Sequence, residues 1–133
     1  MNARGDLAAG LHVVNLSLLA THEIDSAYWH EWEMFHLPGG IQLFLVINLA
    51  LLVPLTYGQT RLVRRQPGAK AFSYIVAAAG LFAFTIHTIF LAAGGEEFRA
   101  PVSLGVLVAI LLVSIGQIVV AGRTNGTGSR YDA

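Results

Sequence analysis

Long apolar runs alternate with short polar breaks along the chain. Four runs, Leu7 to about Ala27, Ile41 to Gln59, Ala71 to Ala93 and Pro101 to Ala121, each supply the roughly 20 residues with which an α-helix crosses about 30 Å of hydrocarbon. The breaks hold helix-ending residues: Pro38-Gly39-Gly40, Gln66-Pro67-Gly68, and Gly94-Gly95 ahead of Pro101. This pattern predicts an all-α integral-membrane protein, a four-helix bundle of up-down topology. It forms one domain over 1–122, with a flexible tail over 123–133.

The regularity fails once. Residues 22–36, HEIDSAYWHEWEMFH, place three histidines and four carboxylates directly behind an apolar run. If the first helix continued to Leu37 it would be about 46 Å long, more than a bilayer requires. At about 100° per residue, His12, Asn15, His22, Asp25, Ser26, Trp29, Glu33 and His36 then share an arc of roughly 140°, with Glu23 and His30 at its edge. Glu31 points away and is expected to be a solvated charge. Ionisable groups facing lipid cost on the order of 2.5–3.5 kcal/mol each, so the stripe should face the bundle interior. Counted from the outer helix ends, His87 in the third run lies at nearly the depth of His22, and the two should share a layer. Gln42, Asn48, Thr85 and Thr88 are the expected hydrogen-bonding neighbours.

Composition narrows the chemistry. Of 133 residues, 55% are hydrophobic and 12% charged, and the mean hydropathy is +0.62. The absence of cysteine excludes disulfides and thiolate ligands, so a metal site would use imidazole and carboxylate. The segment MNARGDLAAG lacks the features of a cleavable signal peptide, and the first helix is expected to stay in the mature chain. Arg4, Arg61, Arg64, Arg65, Lys70, Arg123 and Arg130 fall on one side of the bundle and Arg99 on the other. By the positive-inside rule, both termini should be cytoplasmic in a bacterial inner membrane, with the His/Glu stretch toward the outer, periplasmic face. Asn125-Gly126-Thr127, a glycosylation sequon, then faces the cytoplasm and has no expected role.

The candidate metal ligands are His22, Asp25, Glu33, His36 and His87. His22/Asp25 and Glu33/His36 have the i, i+3 spacing that brings two side chains of adjacent turns to one ion. Such a set suits a divalent zinc, iron or manganese ion. Glu23 and His30 are the candidate proton-handling, catalytic groups. His22 and His36 lie roughly 21 Å apart on a straight helix, so either the helix breaks near Ser26 to Trp29 and folds back, or there are two polar sites. The plain structural alternative is an interfacial extension anchored by Tyr28, Trp29, Trp32 and Phe35.

The stretch THEIDSAYWHEWEMF resembles an uncharacterised family of small four-helix bacterial membrane proteins, marked by a His-Glu-x-Asp segment followed by His-Glu-Trp. The likeness covers the first helix and its extension and implies no activity. The expected function is that of a small membrane protein binding a divalent metal near the outer leaflet, with chemistry on a lipid or small amphiphile if a metal position stays open. The rival readings are a transporter, channel or proton-responsive subunit, and a non-catalytic assembly subunit of a larger membrane complex. Expected partners are membrane lipids and either further copies of the chain or a larger complex; no nucleic-acid surface is expected.

Overall fold

The structure, a computed structural model, describes residues 3–123. Its elements are α1 (Ala3–Tyr28), α2 (Glu31–Met34), α3 (Ile41–Val63), α4 (Ala69–Ala92) and α5 (Pro101–Arg123), with no strand among the described residues. All but α2 are long and apolar enough to cross a membrane. Helix exceeds the expected spans at both basic flanks: α1 begins at Ala3 and α3 continues to Val63. Apart from Arg123, the expected tail and the sequon lie outside the described residues.

Helix α1 packs on α3 and α5, as does α4, and α1 meets α4 across the bundle. Contacts fix the directions. His12 is level with Leu55 and Gln117, whereas His22 is level with His87 and Phe98. Helices α3 and α5 therefore run antiparallel to α1, and α4 runs parallel to it.

The buried positions of α1 are Ala8, His12, Asn15, Leu19, His22 and Ser26, and those of α5 are Ser103, Leu107, Ile110, Ser114, Gln117 and Ala121. Both series alternate steps of four and three, the spacing of a packed helix seam. Their composition is the reverse of a soluble bundle's. Small and polar residues make up most of these buried positions, beside Leu19, Leu107 and Ile110, while large side chains such as Phe82, Val102 and Leu112 are exposed. Helices that associate in lipid pack in this way, through close backbone approach and interhelical hydrogen bonds.

One polar network spans the seam. Gln117 donates to Ser73 Oγ at 3.0 Å and accepts from Asn15 Nδ2 at 2.8 Å, and Asn15 also donates to Ser114 Oγ at 3.0 Å. His12 Nε2 lies 3.1 Å from the Leu55 carbonyl, a contact that ties α1 to α3. Gly80 sits against this network: a Cβ there would overlap Ser114 Oγ and lie 3.0 Å from Ile110. Gly105 and Gly116 of α5 have no atom within 4 Å of the corresponding position, so they face outward.

The ends of α2, α3 and α4 close alike. Leu37 N–H bonds Trp32 O, Gln66 N–H bonds Arg61 O and Gly95 N–H bonds Phe90 O, each across five residues. In each case the preceding residue, His36 (φ 51), Arg65 (φ 51) or Gly94 (φ 98), is left-handed. This is the Schellman closure, which favours glycine. His36 is exposed, so His36→Gly should raise stability. Release of left-handed strain is worth about 1–2 kcal/mol, offset in part by glycine's greater unfolded-chain entropy. Thermal unfolding in detergent would measure the gain.

Candidate metal centre

Helix α1 stops at Tyr28 because His30 turns left-handed, with φ 55 and ψ 48. Histidine is among the residues that enter this region more readily than most. The turn redirects the chain, and α2 folds back over the end of the bundle, with Trp32 packed on Phe44 of α3 at a ring separation of 5.4 Å. This is the fold-back that the sequence allowed as one of two outcomes. It brings Glu31 inward, and the expectation that Glu31 is a solvated charge is corrected. A straight-helix projection cannot carry through a left-handed residue.

Glu31 Oε1 lies 3.8 Å from His87 Nε2, and the two side chains are 17% and 2% exposed. The imidazoles of His22 and His87 meet edge to face at 4.4 Å, in the shared layer expected of them. One ligand atom from each of His22, Glu31 and His87 lies within 4.8 Å of the others. Metal bonds of about 2.0–2.2 Å put tetrahedral donors roughly 3.4 Å apart. The set is therefore wider than a closed coordination sphere, and binding an ion would draw the three donors together.

Hydrogen bonding orients the donors. His87 Nδ1 lies 2.8 Å from the Ala83 carbonyl and must donate to it, because a carbonyl only accepts. In the neutral ring, Nε2 then carries the lone pair, and it faces Glu31. A backbone carbonyl holding one ring nitrogen so that the other can ligate is the usual support of a metal-binding histidine. His87 Nε2 and His22 Nδ1 are both buried without a hydrogen-bond partner, as are Ser26 Oγ and Trp29 Nε1 nearby. An unpartnered buried polar group costs about 1–3 kcal/mol, so the convergence of several at one end of the bundle favours a ligand there.

Phe98 covers this end. It is 1% exposed, with its ring 4.5 Å from that of His87 and 5.9 Å from that of His22. Its backbone is left-handed at φ 63, an unusual state for a bulky residue. Sequence reasoning missed it, since a loop aromatic carries no periodic signal of its direction.

On the other side the donors border a cavity of about 420 Å³ between α1, α3 and α4, whose polar end is formed by His22, Glu23, Glu31, Asn48 and His87. Glu23, Asn48 and Glu31 line this same end. Asn48 also donates to the Phe44 carbonyl at 3.1 Å.

The remaining predicted residues lie elsewhere. Asp25 is half-buried on α1, outside the donor group. His30 and Glu33 face each other at 4.0 Å with side chains 60% and 70% exposed, and His36 is exposed. Gln42 is also exposed. Thr85 and Thr88, expected to join the layer, instead bond the carbonyls of Leu81 and Phe84 within α4. This satisfies their hydroxyls on an outward face.

A family model matches residues 9–124, from the second turn of α1 beyond the end of α5. The chain belongs to DUF6713, a family of unknown function. Membership in DUF6713 is consistent with the expected uncharacterised family, and the match covers the whole bundle. All three donors lie within the part matched by DUF6713. No curated protein and no solved structure matches the chain.

Proposed function

We propose that this protein is an integral-membrane metal-binding protein in which His22, Glu31 and His87 hold one divalent ion and leave a coordination position open to the adjacent cavity. The carrying observation is the orientation of His87: its Nδ1–H is committed to Ala83, and its free Nε2 is buried beside Glu31 and His22. Two imidazoles and a carboxylate suit zinc, iron(II) or manganese(II), and with zinc this three-ligand set is one that keeps a position for water or substrate. Glu23 is placed to take a proton from water in that position. A lipid or another small amphiphile is the substrate class that such a cavity would admit.

The basic residues support an orientation. Arg65 pairs with Asp6 and lines a second hollow with Lys70, at the bundle end away from the His22 layer. Both termini are then cytoplasmic and the metal faces outward. Because the chain has no native cysteine, Glu96→Cys is a clean probe. It should react with a membrane-impermeant thiol reagent added to intact cells, and protection until the membrane is opened would reverse the orientation.

Metal titration of the untagged protein tests the site. Glu31→Gln should weaken binding more than tenfold, beyond the lower end of the roughly 10–100-fold cost of losing a supporting group. Glu33→Gln should leave it unchanged. Equal effects of the two substitutions, or no stoichiometric ion in the unaltered protein, would overturn the assignment.

A further inference from the structure

The cavity is longer than the metal centre needs. From its polar end it extends between α3 and α4 as far as Leu55, whose carbonyl is bonded by His12. His12 and His22 are ten residues apart, about 15 Å along α1. Beyond the polar end, the walls contributed by α3 and α4 include Leu51, Leu52, Leu55, Ala78, Ala79 and Phe82.

Two local features lie beside this space. Pro54 lies inside α3, where its ring removes one backbone hydrogen bond. On the Leu55 side of Pro54, α3 and α4 are tight, since a Cβ on Gly58 would collide with the Phe72 ring. Toward Asn48 the alanines of α4 leave the gap unfilled. At its rim, Leu51 and Phe82 are 54% and 67% exposed on the face that meets hydrocarbon. The opening is therefore to the bilayer.

Charge selects the head of an occupant. Two carboxyl groups, Glu23 and Glu31, already stand at this end of the cavity, so a head carrying a further negative charge is disfavoured at this depth. Asn48 and Glu23 together offer both a donor and an acceptor beside the open metal position.

Building on the metal assignment above, we propose that the cavity binds a neutral single-chain amphiphile drawn sideways from the membrane between α3 and α4, with its alkyl chain along Leu52 and Ala79 and a hydroxyl head at the metal and Glu23. The volume suits one chain, and the polar atoms at its closed end suit an oxygen that both donates and accepts a hydrogen bond.

The test uses the full chain in lipid nanodiscs loaded with zinc, and a long-chain alcohol carrying a diazirine and an alkyne. Metal content is measured on the same samples. Light should attach the probe to α3 and α4 at the cavity walls. Excess oleyl alcohol should suppress this labelling, and oleate should compete about tenfold less well, equivalent to about 1.4 kcal/mol. Ala79→Trp should remove the competable labelling while retaining the metal, and Leu52→Trp provides a second obstruction from the opposite wall. Competable labelling that survives both tryptophans, its absence from zinc-bearing protein, or oleate competing as well as the alcohol would overturn the proposal. Protein that lacks zinc but keeps competable labelling would overturn the metal assignment, and with it the placement of the head.

Discussion

Replacing His87 with alanine is expected to reduce bound divalent metal from about one ion per chain to background, with the bundle still folded. His87 contributes the lone pair whose direction is set within its own helix, by Nδ1–H donation to Ala83 at 2.8 Å. The other donors come from α1 and from the short α2, and neither can reach around to replace it. Loss of a supporting group alone costs about 10–100-fold in affinity, so loss of this ligand should exceed that range. The fold should tolerate the change better than the site does, because ring contacts to Phe98 and His22 would be lost but no interhelical hydrogen bond would. Metal analysis on gel-filtered protein, with the helical circular dichroism signal as the folding control, would check both parts.

Gly80→Leu should produce the largest loss of stability. A Cβ at this position meets Ser114 Oγ first, then Ile110 at 3.0 Å and Asn15 Oδ1 at 3.3 Å. The Ser114 hydroxyl could rotate away, but only by giving up its bond from Asn15. Overpacking a filled core costs about 1–3 kcal/mol, and an interhelical hydrogen bond in a membrane protein averages about 0.6 kcal/mol. A loss of roughly 2–4 kcal/mol is expected from their sum. Gly105→Leu, at a position with open space around it, should have little effect. Thermal unfolding in one detergent would compare the two, and equal midpoints would contradict this account of the seam.

Much of the fold was legible because hydropathy and helix length are directly coupled in a bilayer. The number of spans followed from the length of each apolar run, and the shared layer of His22 and His87 followed from counting residues inward from the helix ends. Burial of His12 and Asn15 followed from the cost of exposing them to lipid. The partner of the two histidines did not follow. Glu31 is assigned to the wrong face by any projection that continues through His30, and no local signal requires that residue to turn left-handed. Glu33 and His36 had the more suggestive spacing, yet they stand on the far side of the same turn. Phe98 and the cavity were illegible for a related reason. One depends on the direction of a loop side chain, and the other on how the side chains of α1, α3 and α4 pack against one another.

The central claim is that His22, Glu31 and His87 form one coordination sphere. X-ray absorption fine structure at the metal edge of untagged, metal-loaded protein tests it most directly. Two imidazole nitrogens and at least one carboxylate oxygen are expected at about 2.0–2.2 Å, with the imidazole scattering halved in His22→Ala. A shell of oxygen atoms alone, or two-imidazole scattering that persists unchanged without His22, would contradict it.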